Sequence, residues 1–420
     1  MAATLQDEVG SRLSGAASAV GWPMSLAVLG CGFVADFYMA TLANHPDLRI
    51  VGAYDADPCR LRAFCDHHRV RAYGSFEELV GDGCVDLVLN LTNPRSHFAL
   101  TEACLRAGKH VYSEKPIAME SAQAAHLVEL AQRCGVSLAS APCSILSETA
   151  QTMWKALADG AVGRVRLVYA NFDDGMVHSG GWARWRSASG APWPAKDEFE
   201  VGCTYEHAGY VLTWLAAFFG PARRVQAFAR CLVPDKGVAV RAMAPDFSVG
   251  CIEYDNGVVA RVTCGVVAPV DKSLTIIGDD GTLYTRHVRD DASPVYLRRT
   301  HPNPIASGLA SRWTRMWNRI ENALHLPFSI GRFQFEGKIP HACRPRYRSA
   351  GSGKPVDFLR GPAEQAKAIH EGRRCRLSAE LGVHLVEVVE ALQHPERFGG
   401  CRTITSTFEP ISPLRFGRGF

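Results

Sequence analysis

The chain has 420 residues, 47% hydrophobic and 21% charged, with a formal net charge of +4. That length leaves room for two or three domains with ample core, and so small a charge argues against nucleic acid or a membrane surface as partner. The 14 cysteines show no CxxC or zinc-ligand spacing. Several, among them Cys84, Cys104, Cys251 and Cys264, fall in apolar segments where a free thiol acts as a small hydrophobe, so no metal and a reducing, cytoplasmic setting are expected.

Residues 1–24 are small and polar with no sustained period and read as a mobile tail, and because no basic stretch leads into a continuous apolar run, neither a signal peptide nor a membrane span is expected there. From 25 to about 144 strands and helices alternate. Residues 26–29, 50–54, 85–91, 110–113 and 137–139 read as short buried strands, and 36–44, 58–67, 96–107 and 121–134 as helices between them. Such alternation predicts a parallel sheet with right-handed crossovers.

Gly30-Cys31-Gly32-Phe33-Val34-Ala35 follows the first strand, and the second ends in Asp55. Gly30 permits a tight turn and Gly32 lets backbone approach a pyrophosphate. Ala35 lets the next helix pack closely with its N-terminus toward the anion. An acid about twenty residues beyond the glycines is placed to accept hydrogen bonds from a ribose 2′-hydroxyl. The pattern points to a dinucleotide, NAD in preference to NADP because a carboxylate repels a 2′-phosphate.

Beyond Pro142 the pattern changes into a second unit running from 145 to 420. A helix over 148–159 and a strand over 164–172 precede a Gly-, Trp- and Ser-rich loop from 174 to about 198. A helix over 205–219 stops at Gly220-Pro221. Alternating runs over 224–231, 246–254, 258–267 and 273–278, with Asp255-Asn256-Gly257 as a hairpin turn, predict an antiparallel sheet with helices on one face. The fold class expected is therefore an α/β Rossmann domain plus an α+β domain with a large, mostly antiparallel, open-faced sheet. Apolar residues at both parities in 258–267 imply a partner surface, hence a homodimer or homotetramer. Residues 292–353 read as an irregular insertion with one helix near 311–324, and helices over 361–370 and 378–392 return toward the body.

Thr92-Asn93-Pro94, His97 and Glu114-Lys115-Pro116, taken with the glycine turn and Asp55, resemble the Gfo/Idh/MocA family of nicotinamide-dependent sugar and cyclitol oxidoreductases. The resemblance runs from about 26 to 281 and resumes over 358–392. It implies that Gly30, Gly32, Phe33, Val34, Asp55, Thr92, Asn93, His97, Glu114 and Lys115 hold the cofactor. It implies too that Lys115 sits at the nicotinamide edge to orient substrate or move a proton, and that the Lys115–Pro116 bond is cis. Gly202-Cys203-Thr204-Tyr205-Glu206-His207-Ala208-Gly209-Tyr210 resembles the family's Asp-x-x-x-His segment. On that register His207 is the acid/base, while Cys203 and Tyr210 stand where the family carries acids and line the substrate site. Glu206, beside His207 on the helix, is expected to point elsewhere.

In the loop before this helix, Trp182, Trp185 and Trp193 either stack on sugar C–H faces, with Asp174 reading hydroxyls, or anchor the long loop to its domain. The function expected is hydride transfer between nicotinamide and a secondary alcohol or ketone of a sugar, cyclitol or sugar derivative. Because acids are missing at 203 and 210, a nucleotide- or sugar-binding sensor is the competing class. An NAD-dependent glycosidase working by transient oxidation would use the same lysine and histidine.

Overall fold

The computed structural model describes residues 22–300, 312–320 except 314 and 318, 337–342 and 356–414. The first sheet is built from β1 (Met24–Leu29), β2 (Leu48–Tyr54), β3 (Leu87–Asn90), β4 (His110–Ser113) and β5 (Leu138–Ser140), all parallel in the order β2-β1-β3-β4-β5. β1 is buried at every position, the state its unbroken apolar run requires of a central parallel strand covered on both faces. Residues that follow these strands therefore meet along one carboxyl edge, with the turn after β1 beside Asp55, Thr92 and Lys115.

Local details depart from expectation. β1 takes in Met24, part of the expected tail. Helix α1 (Ala35–Met39) ends early and gives way to a 3-10 turn at Leu42–Asn44. It has no side-chain cap, and its last residues run into the turn instead of extending the apolar face. Helices α2 (Pro58–His68), α3 (Phe76–Gly81), α4 (Pro94–Arg106) and α5 (Ser121–Cys134) complete the first unit.

After α6 (Glu148–Ala158) come β6 (Val165–Asp173), α7 (Ala195–Val201), α8 (Cys203–Phe219) and a sheet of β7 (Ala222–Arg230), β8 (Phe247–Tyr254), β9 (Val259–Gly265), β10 (Leu274–Gly278), β11 (Gly281–Thr285), β12 (Val295–Arg299) and β13 (Gly337–Ile339). A C-terminal strand, β14 (Cys401–Thr403), closes one edge, giving the order β13-β12-β11-β10-β6-β9-β8-β7-β14. Every pair is antiparallel except β6 with β9. β12 and β13 belong to the stretch expected to be irregular, because ladder pairing to β11 overrides their weak periodicity. The described residues between 312 and 320 are helical; the rest of the expected 311–324 helix lies outside the described residues.

α8, apolar on nearly every side, is buried along its first fourteen residues. It lies on the inner face of the large sheet beside α10 (Ala379–Gln393), while α9 (Arg360–His370) leans on the first unit, where Gln365 Nε2 donates to the Val111 carbonyl at 3.0 Å. β8 and β9 alternate between buried and outward-facing residues up to Cys264. Their outer face, with Phe228 53% and Tyr169 37% exposed, has no helix of its own chain over it among the described residues. Cys104 and Cys264 are buried, but Cys84 and Cys251 are exposed, against the expectation of small core hydrophobes: Cys84 sits in the loop before β3 and Cys251 on that outer face.

Candidate active site

A cleft of about 1190 Å³ opens where the carboxyl edge of the parallel sheet meets α8 and the loop before it. Such a volume exceeds that of most small-ligand sites. Gly30, at φ 95°, leaves no room for a β-carbon, which would fall 2.8 Å from the Thr92 backbone nitrogen, whereas a β-carbon on Gly32 would point into open space. The turn is thus bare of side chains where an extended anion would lie.

Asp55 ends β2 and is tightly held. Its Oδ2 accepts from Cys31 N and Arg60 Nε, both at 2.8 Å, and its Oδ1 from Asp57 N at 2.8 Å and Arg60 Nη2 at 2.9 Å. Burial opposes ionisation, but the Arg60 guanidinium and the two amides hold the carboxyl below its ordinary value. Asn93 caps α4 by accepting from Ser96 N at 3.2 Å. His97 is 1% exposed, with ring nitrogens 2.6 Å from the Pro116 carbonyl and 2.9 Å from the Thr92 carbonyl, so it braces the two loops that carry Thr92 and Lys115. Glu114 accepts from Tyr38 Oη at 2.7 Å and from Lys115 N at 3.0 Å. The Lys115–Pro116 bond is cis. An open glycine turn and a fixed carboxylate at the end of β2 suit a dinucleotide.

The second end of the cleft is built by α8. Glu206, expected to point away, is buried and its Oε2 contacts Lys115 Nζ directly. Cys203, Glu206, His207 and Tyr210 stand at i, i+3, i+4 and i+7 of α8 and so share one helical face, which is the face turned to the cleft. Burial pulls the Lys115 ammonium down, yet Glu206 and neighbouring anions outweigh it and the group is held above the ordinary lysine value. Cys203 lines the cleft with Sγ 3.6 Å from the Cys264 carbonyl, and burial pushes its thiol up to about 12, so it is neutral.

His207 is stacked on Phe172 at 5.2 Å between centroids, and Tyr210 on the same ring at 5.1 Å. His207 Nε2 lies 3.5 Å from Asp174 Oδ2. Burial, assisted by Lys115, Arg289 and Lys272 against Asp174, pushes His207 down to about 3, which keeps it neutral. Asp174 also contacts Lys272 Nζ and lies 4.0 Å from Arg289 Nη1. Although burial works against it, the Arg289 and Lys272 cations hold the Asp174 carboxyl below its ordinary value. Glu198, from α7, is raised well above its usual value by burial and by Glu206.

Gly30, Gly32, Phe33, Val34, Asp55, Thr92, Asn93, His97, Glu114, Lys115, Asp174, Cys203, His207 and Tyr210 all line this one cleft. Trp182 does not: its ring packs on Trp193 and Phe199, and it is Trp185 and Trp193 that face the opening. Their loop is tied across the cleft to the first unit, Ser189 donating to Asp36 Oδ2 from N at 2.9 Å and from Oγ at 2.8 Å. Lys272, Arg289 and Glu198 carried no motif; strand pairing delivers the first two, and helix α7 the third.

A parallel dinucleotide sheet joined to an open mixed sheet, with a lysine–glutamate pair where the two meet, defines a nicotinamide-dependent oxidoreductase. The family model described as oxidoreductase family, NAD-binding Rossmann fold matches residues 24–141, and the GFO/IDH/MocA C-terminal domain matches 150–284. The chain belongs to the Gfo/Idh/MocA family of NAD(P)-dependent oxidoreductases. It is 24% identical over 257 residues to the trans-1,2-dihydrobenzene-1,2-diol dehydrogenase of Macaca fuscata fuscata, covering 60% of this chain and 72% of that protein. Its fold matches the aldose-aldose oxidoreductase of Caulobacter crescentus complexed with glycerol (TM-score 0.68, 17% identity, 91% of this chain and 99% of that one). It also matches the WlbA dehydrogenase of Bordetella pertussis in complex with NADH and UDP-GlcNAcA (TM-score 0.64, 19% identity, 91% and 98%).

Proposed function

We propose that the protein interconverts a secondary alcohol and a ketone on a sugar, cyclitol or sugar derivative, with NAD(H) as its dinucleotide. The observation that carries this reading is the direct Lys115–Glu206 contact in the cleft that also holds the glycine turn, Asp55 and His207. NAD bound along the turn would supply the hydride chemistry. Gly30, Gly32, Phe33 and Val34 would form its cradle, with Asp55, Thr92, Asn93 and Glu114 around it and His97 as a brace. Lys115, kept cationic by Glu206, donates a hydrogen bond to the reacting oxygen and stabilises the charge that develops there. Neutral His207 takes the hydroxyl proton in the oxidative direction, and Asp174 stabilises the imidazolium that results. Cys203 and Tyr210 shape the wall against which the ring sits.

The sensor reading drew on missing acids at 203 and 210; Glu206 supplies a carboxylate and removes that motive. Among the described residues every cysteine is unpaired, which supports a reducing, cytoplasmic setting, and no helix is long and apolar enough to cross a membrane. The test follows nicotinamide absorbance with sugars, inositols and nucleotide sugars, with product analysis to detect a glycosidase that recycles NAD. Turnover that persists in both Lys115→Ala and His207→Ala overturns the mechanism. Sugar binding to the NAD complex without turnover of any compound favours the sensor.

A further inference from the structure

The wall facing Lys115 carries two cations that the proton chemistry above does not use. Lys272 precedes β10 and Arg289 follows β11. Asp173 and Asp271 exchange backbone hydrogen bonds of 2.8 and 3.0 Å, and Val288 N donates to the Lys272 carbonyl at 2.8 Å. These ties fix Asp174, Lys272 and Arg289 on adjacent backbone, so the cluster is organised before any ligand arrives.

The Lys272 side chain is only 10% exposed, its ammonium on Asp174 and 5.1 Å from the centre of the Phe172 ring. The Arg289 side chain is 18% exposed. Its guanidinium lies 4.9 Å over the Tyr210 ring and 4.0 Å from Asp174, and it donates no hydrogen bond to any described residue. Glu114 spends its oxygens on Tyr38 and the Lys115 amide, and Glu198 is driven toward its neutral form. With Lys115 matched by Glu206 and His207 neutral, Lys272 and Arg289 share Asp174, and although the Glu114 charge also acts on Arg289, no carboxylate oxygen among the described residues accepts a hydrogen bond from its guanidinium.

The guanidinium lines the open cleft, and none of its nitrogens is sealed from it without a partner, so its N–H fork is available to a ligand. A planar carboxylate bound in the cleft matches that fork and carries a single negative charge. We propose that Arg289, assisted by Lys272, forms a carboxylate-binding subsite, and that the substrate is an acidic sugar. This rests on the dehydrogenase reading and narrows it.

The experiment uses the full chain loaded with NAD. Calorimetry compares D-glucuronate and D-galacturonate with D-glucose and D-galactose, and with D-glucose 6-phosphate, while nicotinamide absorbance follows turnover separately. The uronates should bind roughly ten- to a hundredfold more tightly than their neutral counterparts. Arg289→Gln should erase that preference and Arg289→Lys keep part of it, both with NAD affinity unchanged as the check on folding. Equal binding of acid and neutral sugars, no uronate binding, or a preference that survives Arg289→Gln overturns the subsite. Tighter binding of the sugar phosphate overturns the assignment to a carboxylate. Arg289-dependent uronate binding without turnover supports the subsite while refuting the dehydrogenase, whereas turnover of neutral sugars with no acid preference does the reverse.

Discussion

Glu206 and Lys115 meet across the junction of the two units, the carboxylate brought by the first turns of α8 and the ammonium by the carboxyl end of β4, both side chains largely shielded from water. An ammonium in such a place keeps its charge only because the carboxylate is there. The pair also couples the dinucleotide sheet to the helix that carries His207, so Lys115 and His207 share one support.

Lys115→Met should lower kcat by roughly 10²–10⁴-fold. Glu206→Gln should be milder and leave a signature. Without its partner, buried Lys115 loses its proton more readily, so the alkaline limb of the kcat profile moves to lower pH. An unmoved limb in Glu206→Gln would mean that Glu206 does not hold the charge.

The pH dependence of oxidation tests His207. An ordinary histidine would produce an acid limb near ~6.5; His207 is pushed to about 3 by burial. It stays unprotonated, and hence able to accept, throughout the usual assay range, so kcat/KM should show no histidine limb between pH 5 and 8. A limb in that window lost in His207→Ala would refute this.

Cofactor preference turns on Asp55 and Arg60. The wild-type protein should bind NAD(H) more tightly than NADP(H). Asp55→Ala frees the Arg60 guanidinium to meet a 2′-phosphate, and the preference should shift toward NADP(H) by roughly tenfold or more. Titration calorimetry with both dinucleotides reads it directly.

Arg360 bridges Glu148 at 2.8 Å and Asp291 at 3.4 Å, with Asp357 4.0 Å away. Arg360→Met leaves buried carboxylates unpaired and should cost about 3–5 kcal/mol of stability, measured by denaturant unfolding. Burial pushes Asp291 up to about 7 despite Arg360. The native state then binds a proton that the unfolded chain, with a carboxyl near ~3.9, has released. Stability should therefore fall as pH rises from about 4 to 7, and more steeply in Arg360→Met.

The outer face of the large sheet should join two copies of the chain. Phe228, Val249 and Thr263 lie side by side there by strand register, and Arg261 sits 4.6 Å over the Tyr169 ring. Light scattering at micromolar concentration should show a homodimer or homotetramer, and Phe228→Glu should shift it toward monomer. A wild-type protein that stays monomeric refutes this.

The strand–turn–helix rhythm, the glycine turn with Asp55 and the segment around Lys115 were legible in residue order, because each is local chemistry: an apolar run, a bare turn, an acid at a strand end. β11 and the outer strands β12 and β13 were not, since their pairing is with strands that lie elsewhere in the chain. Glu206 was misread for a different reason. Adjacency to His207 suggests a different direction, yet Glu206 stands three residues after Cys203 and four before Tyr210, spacings that put it on their face of α8. Trp182 and Trp193 are equal as sequence, but only the second faces the cleft.

Residue order alone thus determined the sheet type of each unit and the dinucleotide turn, both consequences of periodicity and short-range geometry, while Lys115 and His207 became candidates through the family resemblance of their segments. Tertiary structure decided which carboxylate meets Lys115, that Arg60 occupies Asp55, and that Asp174, Lys272 and Arg289 share one wall. Burial and charge pairing depend on distances between residues far apart in the chain, and only the folded backbone sets those distances.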